Sequence, residues 1–255
     1  MHGAGNDFVV VDARRSPVPA MTAFARWVCD RHMGVGADGL LLVEPSELAD
    51  VRMRILNADG SQAETCGNGL RCVARFLADS DGAQMLRIET LAGVVQTQVL
   101  QGGTEFRVRV SMGEPQIRQS RAVPGAVDVD MGNPHVVVFV RDLQERDIAR
   151  LATDIAASSV YPDGANVHLA VVETRACIRA LHHERGVGLT QACGSGAVAI
   201  GVAAIQRGAV DSPVDLCVPG GILTVEWEGS GVAYLTGPAC RVFDASLVWD
   251  SDSTS

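Results

Sequence analysis

Two cysteines in this 255-residue chain stand where a thiol can do proton chemistry. Cys66 lies in Glu64-Thr65-Cys66-Gly67-Asn68-Gly69, ahead of Leu70-Arg71-Cys72-Val73-Ala74-Arg75-Phe76-Leu77 at helical spacing. Cys193 lies in Ala192-Cys193-Gly194-Ser195-Gly196, ahead of the apolar run from Ala197 to Ile205. The first turn of a helix leaves backbone N–H groups without intrahelical acceptors, and the macrodipole places partial positive charge there. A thiol at that position is pushed toward thiolate, and a carboxylate can dock on the same N–H groups. Two such thiols facing one carbon suit inversion of a stereocentre, because one removes the α-proton and the other delivers one to the opposite face. The carboxylate beside the developing carbanion gains charge, which the helix N–H groups stabilise as an oxyanion hole does. The plainer reading of either motif alone is a tight glycine turn with a buried thiol. Cys29, Cys72, Cys177, Cys217 and Cys240 sit in helical, apolar or strand-like surroundings and read as small buried hydrophobes. No pair is spaced Cys-x-x-Cys, so neither a zinc ribbon nor a thioredoxin-type site is expected, and no metal is assigned.

The two motifs are copies in register. Gly5-Asn6-Asp7-Phe8-Val9-Val10-Val11 resembles Gly132-Asn133-Pro134-His135-Val136-Val137-Val138, and the offsets agree: 133 − 6 = 127 and 193 − 66 = 127. Ala92-Gly93-Val94-Val95 matches Gly220-Gly221-Ile222-Leu223 at nearly that offset. A duplicated half follows, and two halves related by a pseudo-twofold axis bring both cysteines to one cleft. Upstream of the second motif, Glu184-Arg185 reads either as an exposed ion pair or as a clamp for a zwitterion. Arginine offers a fork to a carboxylate, and glutamate accepts from an ammonium.

The elements that must position these groups follow from periodicity. Phe8 to Val11, Leu40 to Val43 and Arg52 to Leu56 read as strands, and Met21 to Arg31 has helical spacing. The helix after Cys66 gives way to strands at 86–90, 94–99 and 106–110 with Gly-rich turns. The second half repeats strand (136–140), helix (151–158), strands (167–172 and 176–181) and helix (197–206), then strands at 214–218, 222–227 and 232–235. Gly113-Glu114-Pro115 is the expected boundary, giving halves 1–113 and 114–241, and the polar tail Asp250 to Ser255 is expected to fray. The class is α+β.

Composition narrows the chemistry. Hydrophobic content of 47% with 20% charged residues describes a globular chain long enough for two cores. A net charge of −9 argues against nucleic acid or an anionic membrane as partner. There is no lysine at all, so no Schiff base can hold pyridoxal phosphate, and no phosphate-binding glycine fingerprint is present. No cofactor is expected. Seven cysteines is an odd number, no signal peptide opens the chain and no run of about 18 apolar residues occurs, so a cytosolic protein with reduced thiols is expected.

The ordered motifs resemble those of the diaminopimelate epimerase family. They are Met1-His2-Gly3-Ala4-Gly5-Asn6-Asp7-Phe8, Asp30-Arg31-His32-Met33-Gly34-Val35-Gly36-Ala37-Asp38-Gly39, Asn57-Ala58-Asp59-Gly60-Ser61 and Cys66-Gly67-Asn68-Gly69. Gly132-Asn133-Pro134-His135, Asn166-Val167, Glu184-Arg185-Gly186 and Ala192-Cys193-Gly194-Ser195-Gly196 continue the match over essentially the whole chain. The resemblance implies two pseudo-twofold-related domains, each a mostly antiparallel sheet wrapped around a central helix. It also implies a last strand near 242–250 that returns to the first domain. It implies interconversion of LL- and meso-diaminopimelate, in lysine and peptidoglycan precursor synthesis, by a homodimer. Cys66 and Cys193 are then the acid/base pair, with His135 and Glu184 beside the reacting centre. Asn6, Asn57, Gly67, Asn68, Asn133, Asn166, Glu184, Arg185, Gly194 and Ser195 contact substrate. Family members carry a few residues ahead of the Met-His-Gly motif, so either the start lies upstream or the first strand is short.

Three positions depart from the family pattern: Leu189 stands for the usual glutamate, Ser195 for threonine, and Gly39 for a glutamine found in some members. Two other readings compete. One is a related two-thiol racemase for proline, hydroxyproline or histidine, although a cyclic imino acid offers nothing to the asparagine set. The other is a non-catalytic thiol protein that binds metal or senses oxidation through Cys66 and Cys193.

Overall fold

The computed structural model describes residues 1–63 and 66–249; Glu64, Thr65 and the tail Asp250 to Ser255 lie outside the described residues. The chain divides into two compact units, Met1–Val110 with the returning segment from Pro238, and Ser111–Gly237.

The first unit opens with a hairpin of β1 (His2–Gly3) and β2 (Asn6–Asp12). After α1 (Met21–Cys29), β3 (Gly39–Glu44) runs parallel to β2. Next, β4 (Val51–Asn57) pairs antiparallel with β3, and the short β5 (Gln62–Ala63) folds back on β4. The chain then enters α2 (Gly67–Asp81) and returns as β6 (Met85–Thr90), parallel to β4. Finally β7 (Gly93–Gln101) and β8 (Arg107–Ser111) extend the sheet antiparallel.

The second unit repeats this order. A hairpin of β9 (Gln116–Gln119) and β10 (Val127–Asp130) leads into β11 (Pro134–Phe139). Then come α3 (Glu145–Ala156), β12 (Asn166–Thr174) parallel to β11, and β13 (Cys177–Glu184) antiparallel to β12. β14 (Gly188–Thr190) folds back on β13, α4 (Gly194–Gln206) follows, and β15 (Val214–Val218) lies parallel to β13. Antiparallel β16 (Gly221–Glu226) and β17 (Tyr234–Pro238) complete it. The sequence duplication is therefore a duplication of topology, and the fold is α+β.

Each sheet curls around one helix. In the second unit every residue from Gly196 to Ala204 is buried, as an all-round apolar helix requires. Gly201 makes the close approach possible, since a Cβ there would lie 2.7 Å from Val225 Cγ1. In the first unit α2 buries Gly67 to Ala74 and Leu77 and ends at Gly82 in the left-handed conformation. Two amphipathic helices cover the outer faces: α1 buries Phe24, Ala25 and Val28 against Leu40 and Leu42, and α3 buries Ile148, Ala152 and Ile155 against Val136, Val167 and Leu169.

Several elements differ from the sequence reading. The units part at Val110–Ser111, just ahead of Gly113-Glu114-Pro115. α3 begins at Glu145 rather than Leu151, because its first turn is polar and carries no apolar stripe before Ile148. The returning segment holds no strand from Arg241 to Leu247. Its strand-like pairing among the described residues is a bridge from Cys240 to His2, with Arg71 and Arg75 donating to the Pro238 and Ala239 carbonyls, after which Arg241 pairs with Asp244 and Asp79.

Candidate active site

In the first unit the chemistry gathers at the N-terminus of α2. Cys66 is the N-cap residue in extended conformation, and its sulfur accepts from the Gly69 N–H at 3.5 Å. The Asn6 side-chain oxygen stands 3.8 Å from that sulfur and accepts from Asn68 Nδ2 at 3.1 Å. The Asn6 amide in turn donates to Asp38 at 2.8 Å, and Asp38 is held with Asp7 by Arg31. Beneath the turn lies Arg71, fully buried with no carboxylate hydrogen-bonded to it among the described residues. Its guanidinium donates to Asn68 Oδ1 at 2.8 Å, to the Gly67 carbonyl at 3.2 Å and to the Pro238 carbonyl at 3.0 Å. Burial pushes its pKa down, while Cys72 and then Cys66 pull it up. Asn57 stands apart from this set, exposed at the end of β4, with its amide donating to Ser61 Oγ at 2.9 Å.

In the second unit the equivalent place is the N-terminus of α4. Cys193 is again an extended N-cap, but its side chain is fully buried. Ser195 Oγ is 3.7 Å from the sulfur. Burial is the main cause that holds the Cys193 thiol well above its ordinary range, and the nearby negative charge of the Glu184 carboxylate adds to it. The Gly196 N–H and Ser195 hydroxyl pull the other way and lose. This corrects the expectation from the macrodipole: at Cys193 desolvation outweighs the helix terminus. Asn166, at the start of β12, spends its amide on backbone, accepting from the Arg185 N–H at 3.0 Å and donating to the Pro134 carbonyl at 3.3 Å. It fixes the loop that carries Glu184 and Arg185. The Arg185 guanidinium lies along this loop and donates to the Asp163 carbonyl at 3.0 Å.

His135 is buried in β11, with one ring nitrogen 2.9 Å from Asn133 Oδ1 and the other 2.8 Å from His168. His168 continues to His182 at 2.9 Å. Burial, with help from His182 and then Arg185, pushes the His135 pKa down to about 3, so its ring is neutral. Neither ring nitrogen is left for an α-proton.

One offset organises the whole set. Adding 127 carries Asn6 to Asn133, Gly39 to Asn166, Asn57 to Glu184 and Cys66 to Cys193. The sheet registers agree, since Phe8 faces Gly39 as His135 faces Asn166. The duplicated fold thus supplies equivalent seats, and different side chains occupy them. A carboxylate sits in the second unit where the first holds an amide. Arg71, Asp38, His168 and His182 are the residues that sequence reasoning left unassigned. The signal for the two histidines was available as polar residues at offsets where the first half has Leu41 and Ile55. A hollow of about 530 Å³ in the second unit, lined by Glu114, Arg118, Arg207 and Trp227, holds none of the site residues. Among the described residues no cluster of three or more His, Cys, Asp and Glu could hold a metal, and no helix is long and apolar enough to cross a membrane.

A sequence model of the family described as "Diaminopimelate epimerase" matches residues 1–118 and 127–242. The diaminopimelate epimerase of Rhizorhabdus wittichii is 45% identical over 263 residues, covering 96% of this chain and 93% of that protein. That of Sphingopyxis alaskensis is 41% identical, covering 98% and 96%. Among solved structures, a Bacillus anthracis phenazine biosynthesis protein of the PhzF family superposes with a TM-score of 0.73 at 18% identity, over 93% of this chain and 92% of that one. At that identity the likeness is one of fold.

Proposed function

The chain belongs to the diaminopimelate epimerase family, and on that premise we propose that it interconverts LL- and meso-diaminopimelate by passing the α-proton between Cys66 and Cys193. The observation that carries the two-thiol assignment is the repeated seat. In each unit a cysteine caps the central helix, and its carbonyl accepts the first helical hydrogen bond, from Leu70 or Ala197. The N–H groups that follow each cysteine receive the substrate carboxylate and the charge it gains as the α-carbon loses its proton. Gly67 and Asn68 belong to one such turn, Gly194 and Ser195 to the other.

The two thiols enter the reaction in different states. Cys193, buried against Glu184, holds its proton and serves as the acid. Cys66 is half-buried, accepts from the Gly69 N–H and lies within electrostatic reach of Arg71, a setting that suits the base. Reversal of direction exchanges the roles. The Glu184 carboxylate, whose charge acts on the Cys193 thiol, accepts from the substrate ammonium and keeps the Cys193 proton in place. His135 acts as a neutral support for Asn133 rather than as a proton carrier. The distal amino-acid end of the substrate meets the amides of Asn6, Asn57, Asn133 and Asn166 with Arg185. These contacts rest on the family resemblance.

We further assign the protein to the cytoplasm and to a homodimer. An odd count of seven cysteines with no Cys-x-x-Cys pair supports a reducing compartment, and the dimer rests on the resemblance. No cofactor is required, since a lysine-free chain cannot form a pyridoxal Schiff base. The test is incubation of dialysed protein with LL-diaminopimelate in deuterated water. Formation of the meso isomer with deuterium at one α-carbon is expected. Activity that is lost on dialysis and restored only by pyridoxal phosphate would overturn the reading.

A further inference from the structure

Three buried histidines form a line that the fold does not require. His135 on β11, His168 on β12 and His182 on β13 are 1%, 0% and 0% exposed. His168 and His182 are register partners across the β12–β13 ladder, and His182 faces Thr190 across β13–β14. The corresponding seats in the first unit, at the offset of 127, are Phe8, Leu41, Ile55 and Ala63, with Leu41 facing Ile55 and Ile55 facing Ala63. The same topology is therefore satisfied by apolar side chains. The contact with the central helix is conserved in kind as well: a Cβ on Gly69 would lie 3.0 Å from Leu41 Cδ2, and one on Gly196 would lie 2.5 Å from His168 Cε1. In the second unit this pressed-in residue is a histidine, directly beneath the turn that carries Cys193.

The hydrogen bonds of the line have one consistent direction. Asn133 turns its oxygen toward His135 Nε2, so that nitrogen carries the proton and donates. A neutral ring then has a bare Nδ1, which accepts from His168 Nε2–H at 2.8 Å. By the same step His168 Nδ1 is bare and accepts from His182 Nδ1–H at 2.9 Å. His182 Nε2 is left as a buried acceptor without a partner, and Thr190 Oγ1, its neighbour across the ladder, is a buried hydroxyl without one. Cross-strand neighbours stand about 5 Å apart at Cβ, within reach of a direct or single-water bridge. A hydroxyl proton turned toward His182 Nε2, directly or through one water, would satisfy both unpartnered atoms at once. The opposite direction would leave a bare His135 Nε2 against Asn133 Oδ1, two acceptors facing each other, so the Asn133 end sets the direction of the line.

We propose that His168 and His182 are positioning residues for the substrate site: the line from Thr190 through His182, His168 and His135 locks the Asn133 amide so that its NH2 group faces outward as a donor. This rests on the reading of Asn133 as a substrate contact. A donor there selects an acceptor on the ligand, such as a carboxylate. The apolar counterpart in the first unit leaves Asn6 to be oriented by Asp38 and Asn68 instead.

The test combines nitrogen-15 NMR of the histidine rings with kinetics. The wild-type protein near pH 7 is expected to show His135 and His168 as Nε2–H tautomers and His182 as Nδ1–H, all neutral. The double substitution His168→Leu with His182→Ile installs the residues of the first unit. It is expected to release His135 into a mixture of tautomers and to raise KM for diaminopimelate about 3- to 10-fold, the worth of one hydrogen bond, with kcat changed less. His182→Asn keeps an N–H toward His168 and is expected to retain the wild-type tautomer at His135 and the wild-type KM. A wild-type His135 in the Nδ1–H form, or a double variant with unchanged tautomer and KM, overturns the proposal. The tautomers are read without substrate, so an inactive protein with the expected tautomers refutes the proposed reaction and not the line.

Discussion

At the scale of single residues, the two cysteines share a seat and differ in environment. A helix N-terminus favours a thiolate by electrostatics, but removal from water disfavours it, and at complete burial the second effect is the larger. Cys193 has the carboxylate of Glu184 against it as well, so it is held as a thiol. Cys66 is half-buried with a guanidinium within electrostatic reach. The difference predicts unequal reactivity. With limiting iodoacetamide near pH 8, Cys66 is expected to be alkylated before Cys193, read by peptide mass spectrometry. Glu184→Gln removes one of the influences that raise the Cys193 thiol and is expected to narrow the gap. Equal labelling of both cysteines in the wild-type protein would contradict this account.

At the scale of elements, the central helices set the geometry of both cysteines through close packing. Gly201 lies where a methyl group would meet Val225 Cγ1 at 2.7 Å and Cβ at 2.8 Å, in the core of the second unit. Gly201→Ala is expected to cost about 1–3 kcal/mol through overpacking, a fall of roughly 2–10 °C in Tm. Gly102→Ala, at a position with φ −99° and nothing within 4 Å, is the matched control and is expected to leave Tm nearly unchanged. Calorimetry on both variants checks the pair. These helices were legible in the sequence because Cys-Gly-x-Gly before an apolar run marks a cap and a buried face together. The strands of four or more apolar residues were legible for the same reason. What escaped were β5 and β14, too short to show a period, and β9, where Ile117 is the lone apolar residue. The first turn of α3 escaped because it is polar. The histidine line escaped for another reason: His135, His168 and His182 are far apart in sequence, and only strand register brings them together.

At the scale of the whole molecule, buried neutral groups make stability depend on pH at both ends. Burial depresses His135 to about 3 and His182 to about 4, and lowers His168 well below the ordinary range. As pH falls below about 6.5, the unfolded chain takes up protons that the folded chain refuses, so stability is lost on acidification until the folded values are reached. Three such histidines give a steepest slope of about 4 kcal/mol per pH unit, an order-of-magnitude figure. On the alkaline side Cys29 and Cys72 are raised by burial, to about 11 and about 12. Their contribution is intact below the ordinary thiol range and is lost as pH climbs from about 8.5 toward those values. Denaturant titrations from pH 7 to 5 are expected to show the acid slope, which His168→Leu with His182→Ile should reduce to the share of His135. An acid slope unchanged by that substitution would contradict the neutral assignment. The proposed reaction also belongs to this scale, because under that proposal one thiol comes from each half of the duplicated sequence and full epimerisation needs both. Loss of either general acid/base group is expected to lower turnover by about 10²–10⁴-fold. The most direct test replaces Cys66 or Cys193 by serine and follows α-deuterium exchange or β-elimination on the LL and meso isomers separately. The account predicts that each variant retains residual proton abstraction from one stereoisomer only, and that the two variants prefer opposite stereoisomers. A shared preference, or wild-type epimerisation in either variant, would contradict it.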